Sequence, residues 1–480
     1  MLVGVDITRR SKAKADGRIF GIHESLDELA RLAETAGMRV VGVITQSLQA
    51  PMSSTYIGTG KVQEVRREME AEDCCTCIFD VELSPAQQRT LETEFGGEAK
   101  GIKVLDRTAL ILDIFAQHAA TKEGQLQVEL ALYQYRLPRL TRMWTHLERQ
   151  SGAGGVGLRG PGETQLEVDR RLINTRMSKL KRDLELVRGH RSRQRLARKM
   201  NVGLPVVALI GYTNAGKSTL LNALTGSNAL AANALFATLD PTTRRASLEG
   251  LKLSPEILLT DTVGFVQNLP TQLVAAFRAT LEEVVDADVL VHVVDASLDR
   301  EVMQWQMTAV DQVLDQIGAS GKPTVIVLNK ADLVSEEEAG ELFREIEERC
   351  GLNCVAVSAA TGKGLEEVGV LVDEVLREIS LSVEAVIPYS RGDLTSAVYS
   401  QGSIDAEDFV EEGTHIMARV PPSLCNKLRP YFVTSTIADG NKVEGLDTGD
   451  QIIEAVGATD EERWSDLAKK RHQPRAESQE

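Results

Sequence analysis

Short apolar runs alternate with helical patterns over the first 120 residues. The runs lie at 40–44, 77–79 and 102–105, and the helical patterns include 26–35 and 85–94. Strands and helices that alternate at this spacing are typical of a parallel α/β arrangement. We therefore predict a small N-terminal α/β domain over residues 1–120.

After residue 121 the apolar positions follow a different period. They step alternately by four and three residues, which is the seam of one long helix. The positions are Leu126, Leu130, Tyr133, Leu137, Leu140, Trp144 and Leu147. Pro138 interrupts this seam and can kink the helix, because proline removes a backbone donor. A second seam between residues 165 and 199, behind the capping-box pair Thr164 and Glu167, completes a predicted antiparallel helical hairpin over residues 121–200.

Strands and helices alternate again over residues 201–380. The predicted strands lie at 206–210, 257–260, 289–294, 324–328 and 354–357. This order predicts a doubly wound α/β domain. Short alternating segments at 383–388 and 415–420 predict a small α+β domain over residues 381–456, and the charged end at 457–480 is expected to be a disordered tail.

Composition narrows the class of protein. With 480 residues, 42% hydrophobic and 26% charged, the chain is expected to fold into about three domains. No stretch approaches the roughly 18 apolar residues of a membrane span, and the start lacks the apolar core of a signal peptide. We therefore expect a cytoplasmic protein without a membrane span. We also expect a monomer.

The six cysteines predict no disulfide framework, because only Cys74, Cys75 and Cys77 are clustered. A metal site at these three residues is the weaker alternative. Adjacent residues of a strand point to opposite faces, which separates their thiols.

The charge of the chain is polarised. The net charge is −16, but residues 136–199 hold 17 Lys and Arg against 6 Asp and Glu, so this segment carries +11 and the remainder −27. A basic segment on an acidic body suits binding to nucleic-acid phosphates. The hairpin connection, residues 151–162, is rich in glycine and too poor in side chains to pack a core. It is either a disordered loop or a probe whose backbone approaches a crowded, negatively charged surface.

Residues 211–218, Gly-Tyr-Thr-Asn-Ala-Gly-Lys-Ser, match the phosphate-loop pattern. They lie between a predicted strand and a predicted helix that begins near Thr219. The glycines allow the backbone to wrap phosphates, while successive amides and the helix N-terminus supply positive potential. Lys217 is expected to reach the β and γ phosphates, and Ser218 is expected to bind Mg²⁺.

Three further motifs follow in the order of a GTPase. Asp261 ends a strand and is expected to hold Mg²⁺, while the Gly264 amide meets the γ-phosphate. Asp332 can accept two hydrogen bonds from guanine that adenine cannot donate, so it selects GTP over ATP. Lys330 is expected to pack along the base, and a backbone amide near Ser358 to meet the guanine oxygen. The nucleotide-binding residues predicted by these motifs are Gly211, Tyr212, Thr213, Asn214, Ala215, Gly216, Lys217, Ser218, Thr219, Asp261, Thr262, Val263, Gly264, Asn329, Lys330, Ala331, Asp332, Ser358 and Ala359.

Catalysis needs more than these motifs provide. A GTPase commonly orients its water with a residue just after the D-x-x-G motif, where this chain has Phe265. We therefore expect slow intrinsic turnover, with the missing groups supplied by a partner, another part of the chain or a cation. Asn214 suggests K⁺ as that cation, against the alternative that it only stabilises the loop. Spacing alone leaves Thr238, Thr242 and Thr243 as candidates for the switch ligand of Mg²⁺.

Beyond the nucleotide motifs, the chain resembles the HflX family of ribosome-associated bacterial GTPases over residues 1–456. The resemblance is carried by Tyr-Ile-Gly-Thr-Gly-Lys at 56–61, Asp-Arg-Thr at 106–108, Ile-Leu-Asp-Ile-Phe at 111–115, and the segments 151–165 and 236–240. It implies that Thr238 is the switch ligand, within the nucleotide-binding residues Phe236, Ala237, Thr238, Leu239 and Asp240. The predicted catalytic residues are then Lys217, Thr238 and Gly264, and the predicted Mg²⁺ ligands are Ser218, Thr238 and Asp261.

The fold class that follows is α/β, with a P-loop GTPase domain preceded by an α/β N-terminal domain with a long antiparallel helical hairpin and followed by a small α+β C-terminal domain. The implied partners are GTP and GDP, the large (50S) ribosomal subunit and the 70S ribosome, with rRNA contacted by the hairpin. The resemblance implies that the glycine-rich tip enters the peptidyl-transferase region and that stalled ribosomes are split or rescued.

Three alternatives stay open at this point. A GTP-gated RNA-binding or ribosome-assembly factor with incidental turnover would share the same motifs. A GTPase of tRNA modification is disfavoured by the ribosome-probing character of the hairpin. The run at 58–61, Gly-Thr-Gly-Lys, is expected to be a structural turn rather than a second phosphate loop for ATP, because it is too short for the full motif.

Overall fold

The computed structural model describes residues 1–7, 21–97, 101–119, 121–140, 165–201, 204–226, 236, 242–251, 256–266, 281–350 and 353–436. Its N-terminal part is built on a parallel sheet of β1 (Leu2–Ile7), β2 (Val43–Leu48), β3 (Thr76–Phe79) and β4 (Lys103–Asp106), in the order β2-β1-β3-β4. The accompanying helices are α1 (Ile22–Thr35), α2 (Thr59–Ala71), α3 (Pro85–Phe95) and α4 (Arg107–His118). Strand β2 starts later than the apolar run at 40–44, because its pairing with β1 begins with Leu2 opposite Val43.

The run at 58–61 begins a helix. Gly58 is the residue before α2, with a φ of −67°, and its amide donates to Gln46 at 3.0 Å. Lys61 pairs with Glu64 at 2.8 Å, one turn further along the helix. These contacts are those of an ordinary helix start. That the run does not bind ATP stays a prediction.

The hairpin follows as α5 (Lys122–Leu140) and α6 (Gln165–Asn201). Leu126 of α5 and Leu180 and Leu184 of α6 form one buried cluster, so the two predicted seams pack on each other. Pro138 lies inside the last turn of α5. The predicted tip at 151–162 lies outside the described residues.

The central domain is a six-stranded sheet. Its strands are β5 (Val206–Ile210), β6 (Thr242–Ala246), β7 (Ile257–Asp261), β8 (Val289–Asp295), β9 (Thr324–Asn329) and β10 (Cys354–Ala356), in the order β10-β9-β8-β5-β7-β6. Only β6 is antiparallel to its neighbour within this sheet. Helices α7 (Lys217–Thr225), α8 (Arg300–Ile317), α9 (Glu336–Cys350) and α10 (Leu365–Ile379) accompany this sheet, and residues 281–285 are also helical. Every residue of β8 is buried, as expected of a strand covered on both faces.

The C-terminal part is an antiparallel sheet with helices. Strands β11 (Leu381–Ile387), β12 (Ser403–Val410), β13 (Gly413–Val420) and β14 (Phe432–Thr436) lie in the order β12-β13-β11-β14, with α11 (Gly392–Gln401) and α12 (Pro422–Leu428). The predicted α/β fold class with a small α+β C-terminal domain is confirmed. None of the described helices combines the length and the apolar character that crossing a membrane requires.

One hydrophobic core joins the N-terminal domain to the central domain. Leu29 and Phe115 of the N-terminal helices belong to the same buried cluster as Phe236, Phe265 and Val284. The rings of Phe115 and Phe236 meet edge to face with their centroids 4.6 Å apart, a favoured aromatic geometry. The two domains therefore share a core rather than being joined by a bare linker.

A buried ion-pair network lies in the N-terminal domain. Arg107, at the start of α4, donates to Asp80 at 2.6 Å and to Glu28 of α1. The Arg107 side chain is 4% exposed and each carboxylate 8%. Burial disfavours the charged guanidinium, but Glu28 and Asp80 outweigh it and raise the pKa of Arg107. Arg107 is therefore a buried cation that faces two buried carboxyl groups.

Replacing Arg107 by Met should destabilise the protein strongly. It leaves two buried carboxylates without their cation, which typically costs about 3–5 kcal/mol. The free energy of unfolding from urea titration measures this loss. Arg66→Met is the control, since the Arg66–Glu70 pair is nearly half exposed and is worth about 1 kcal/mol or less. Equal losses in the two variants would contradict the role of the network.

Candidate nucleotide-binding site

The predicted phosphate loop connects β5 to α7 at the carboxyl edge of the central sheet. Gly211 and Gly216 have φ values of 143° and 92°. A Cβ at Gly211 would lie 2.2 Å from the Val293 carbonyl oxygen, and one at Gly216 would lie 2.2 Å from Asn329 Nδ2. Both positions therefore require glycine, for conformation and for space.

Lys217 lies against the loop that it is predicted to serve. Its Nζ donates to the carbonyls of Tyr212, at 2.9 Å, and Gly211, at 3.1 Å. Burial lowers the pKa of Lys217 to about 8, although Asp261 acts in the opposite direction. A phosphate beside this amine would favour the charged form, so the ammonium is suited to an anionic ligand.

Two of the three predicted Mg²⁺ ligands are in contact. The Ser218 hydroxyl donates to Asp261 Oδ2 at 2.7 Å, since the first turn of α7 faces the end of β7. Hydroxyl and carboxylate oxygens are the ligands that Mg²⁺ prefers, so this pair fits the ion.

The predicted switch is described at one residue only. Phe236 is buried, with a φ of 59°, whereas Ala237, Thr238, Leu239 and Asp240 lie outside the described residues. Thr242 and Thr243, the other two candidates for the threonine ligand, belong to β6 and pair with β7. The Thr243 hydroxyl is 3.0 Å from that of Thr260. Thr238 stays a prediction.

The segment 261–266 is bound directly to the phosphate loop. The Thr213 amide donates to the Phe265 carbonyl at 2.8 Å, and the Phe265 amide donates to the Gly211 carbonyl at 3.1 Å. A Cβ at Gly264 would lie 3.0 Å from Lys217 Nζ, so this backbone approaches the lysine closely. The Phe265 ring is only 2% exposed and lies in the shared core. It offers no polar group to a water beside the phosphates.

The remainder of this segment is held by the neighbouring strand. The Thr262 hydroxyl donates to the Leu209 carbonyl of β5 at 2.6 Å, and Val263 is buried in the shared core. These two residues therefore fix the segment 261–266 to β5 and to the shared core.

Asn329 joins the phosphate loop to the predicted base pocket. Its side-chain amide donates to the Ala215 carbonyl at 2.8 Å, and its oxygen accepts from the Ala359 amide at 3.0 Å. The sequence placed Asn329 in the base motif but did not indicate this bridging role. The backbone amide that meets the guanine oxygen stays a prediction.

The other residues of the predicted base pocket follow β9 and β10. Lys330 adopts a φ of 64° and its Nζ pairs with Asp295 at 2.6 Å. Asp332 is exposed in the short 3₁₀ helix Ala331–Leu333, as access to a base requires. Ser358 is buried, and its hydroxyl accepts from the Thr361 amide at 3.2 Å. The structure thus brings the four motifs to one edge of the sheet.

Comparison with known proteins finds relatives that match most of the chain. Family models match as GTP-binding GTPase N-terminal at 23–116, GTP-binding GTPase Middle Region at 118–198 and 50S ribosome-binding GTPase at 206–330. A GTPase HflX of Caldanaerobacter subterraneus is 42% identical over 86% of this chain and 91% of its own. The GTPase HflX of Escherichia coli is 43% identical over 83% and 90%. The chain belongs to the HflX family of GTPases. The resemblance inferred from the motifs is confirmed.

Among solved structures, a GTP-binding protein from Sulfolobus solfataricus in complex with GDP is 24% identical. It covers 78% of this HflX-family chain and 98% of its own, with a TM-score of 0.39. The roles of individual site residues in this HflX-family protein stay predictions, because none of these comparisons tests them.

Asp332→Asn should change which base is bound. Asparagine loses one acceptor for the guanine N1 and N2 groups, and hydrogen bonds to a charged group contribute about 1.5–3 kcal/mol each, so GDP affinity should fall about 100-fold. The asparagine amide can donate to the 2-oxygen of xanthine, so xanthosine diphosphate should bind more tightly than to wild type. Competition against a fluorescent guanine nucleotide measures both affinities.

The matched control for this substitution is Asp299→Asn, which changes an exposed carboxylate of the same domain before α8. It should bind GDP like wild type. If D332N keeps its GDP affinity and gains none for the xanthine nucleotide, the assignment of Asp332 to the base is wrong.

Proposed function

We propose that this HflX-family GTPase is a nucleotide-dependent switch that binds the large ribosomal subunit in the cytoplasm. The GTP-bound form engages the 50S subunit or the 70S ribosome through the basic hairpin, and it splits or rescues stalled ribosomes. Hydrolysis of GTP then releases the protein. The description of the matching central-domain model as a 50S ribosome-binding GTPase supports the choice of partner.

The observation that carries this proposal is the polar face of α6. The helix has 37 residues and is therefore about 55 Å long. A shallow groove on it is lined by Arg170, Arg171, Asn174, Thr175, Ser178 and Arg182. Leu180 and Leu184 face α5 instead. A long helix with guanidinium and hydroxyl groups on the face away from its packing seam is suited to contacting RNA phosphates.

The predicted nucleotide-binding site makes ribosome binding depend on GTP. Ser218 and Asp261, with Thr238, would hold Mg²⁺, which neutralises phosphate charge when GTP is bound. Lys217 and the Gly264 amide would contact the terminal phosphates. Because Phe265 cannot orient water, stimulation by the ribosome is the expected source of fast turnover.

Sedimentation of ribosomes with the protein tests the proposal. With GTP or a non-hydrolysable analogue, the protein should migrate with large subunits, and the 70S fraction should decrease; with GDP, neither should occur. If the non-hydrolysable analogue also supports splitting of 70S ribosomes, then hydrolysis is needed only for release of the protein from the large subunit. Migration with free large subunits and an unchanged 70S fraction would instead favour the alternative of a GTP-gated assembly factor. Absence of co-migration under every condition would refute ribosome binding.

The hairpin is tested by neutralising two of its arginines. Arg170→Gln with Arg182→Gln should weaken large-subunit binding and lower the salt dependence of its affinity, since about two phosphate contacts are lost. Arg66→Gln with Arg67→Gln is the matched control, because both residues are exposed on α2 outside the hairpin. Equal weakening by the two pairs would indicate that only net charge matters. GDP affinity should be unchanged in both.

Whether K⁺ supplies the missing charge can be tested separately. Asn214 has a φ of 62°, in the left-handed region that asparagine tolerates better than most residues, and this fits the loop-stabilising alternative as well. If Asn214 helps to hold K⁺, GTP hydrolysis should be several-fold faster in potassium chloride than in sodium chloride at equal ionic strength. Asn214→Ala should abolish that difference. Equal hydrolysis rates for wild type in the two salts would refute a role of K⁺ in hydrolysis.

A further inference from the structure

A side chain of the N-terminal domain holds a residue of the phosphate loop. The Tyr212 hydroxyl donates to Glu28 Oε1, at 2.5 Å, across 184 residues of sequence. The Tyr212 ring also meets Trp305 of α8 edge to face, with centroids 5.6 Å apart. Tyr212 is 5% exposed and Glu28 is 8% exposed, so their hydrogen bond is shielded from water.

Glu28 is itself fixed in place. Its other carboxylate oxygen accepts from Arg107, and Arg107 also pairs with Asp80. The carboxyl group that accepts from Tyr212 is therefore held on its other oxygen by a buried guanidinium. Hydrogen bonds to a charged acceptor in a site of low dielectric are stronger than neutral bonds in water.

The backbone around Tyr212 carries the phosphate-binding elements. The Tyr212 carbonyl accepts from Lys217 Nζ, and the residues on either side of it are bonded to the Phe265 backbone. A displacement of the tyrosine ring would therefore move the lysine and the D-x-x-G segment together. Small displacements matter, because phosphoryl transfer depends mainly on positioning and on fixed charges.

We propose that Glu28 is a positioning residue of the GTPase reaction, which fixes the phosphate loop from the N-terminal domain by holding the Tyr212 hydroxyl. Nucleotide affinity then depends on the contact between the two domains, and by linkage bound nucleotide strengthens that contact. The inference rests on the assignment of residues 211–218 as the phosphate loop and is independent of the ribosomal role.

A double-mutant cycle on guanine nucleotide affinity tests the inference. Tyr212→Phe removes only the hydroxyl and keeps the ring against Trp305, and it should raise the dissociation constants of GDP and of a non-hydrolysable GTP analogue about tenfold. Glu28→Gln leaves a weaker, neutral acceptor and should raise them about threefold. The double variant should bind no more weakly than Y212F alone, because the two residues act through one bond.

The hydrolysis rate at saturating GTP should fall severalfold in Y212F as well. A protein that is merely destabilised would instead show a smaller active fraction with unchanged dissociation constants, so titration of active sites separates the two cases. Glu123→Gln is the matched control, since Glu123 is also buried and ion-paired, to Arg191 at 3.0 Å, but within the hairpin. E123Q should bind nucleotide like wild type.

Each outcome has a distinct meaning. If wild-type protein binds no guanine nucleotide, the phosphate-loop assignment itself fails. If wild type binds but Y212F binds equally well, or if the effects of Y212F and E28Q add, the positioning role of Glu28 is refuted. If E123Q weakens binding as much as E28Q does, the effect is a general consequence of losing a buried ion pair, and the proposal is again refuted.

Discussion

The buried charge of Arg107 is the constraint on which the arrangement of the N-terminal domain depends. An ion removed from water must be paired, and Arg107 satisfies this by bonding Asp80 beyond β3 and Glu28 on α1. The same Glu28 then accepts from Tyr212 of the central domain. One network of charges therefore orients two helices within a domain and also ties that domain to its neighbour.

The shared core extends this connection to the segments that surround the predicted nucleotide site. Phe115 packs on Phe236, the one described residue of the predicted switch, and Phe265 lies in the same cluster. Two backbone hydrogen bonds attach the Phe265 segment to the phosphate loop. Asn329 continues the linkage to the predicted base pocket. The site is thus a continuous set of contacts, one side of which belongs to the N-terminal domain.

Charge is separated along the molecule in a way that suits the proposed partner. The segment 136–199 carries +11, whereas the rest of the chain carries −27. An acidic body discourages binding of RNA by most of the surface, and the hairpin face that includes Arg170 and Arg182 offers the opposite sign. Phe265 has no polar side chain to orient water. This fits the proposal that the ribosome, bound by the hairpin, stimulates GTP hydrolysis.

The sequence by itself determined the features that depend on local spacing. Glycines 211 and 216, Lys217, Asp261 and Asp332 could be proposed as nucleotide-binding residues, because phosphate and base binding need particular residue types at strand ends, and strand ends follow from short apolar runs. The helical hairpin could be predicted from heptad periodicity, which is also a local pattern. Strand limits were less accurate, since hydrogen bonding between strands, not apolarity, sets where β2 begins.

Only the tertiary structure decided how these parts act together. The Glu28–Tyr212 bond spans 184 residues and the Phe115–Phe236 contact joins two domains. Neither has a periodicity or a spacing that a linear pattern could reveal. In the sequence, Glu28 is one more charged residue on an amphipathic helix. Its burial beside Arg107 is a property of the packed domain. Compensation of a buried charge depends on which groups are close in three dimensions.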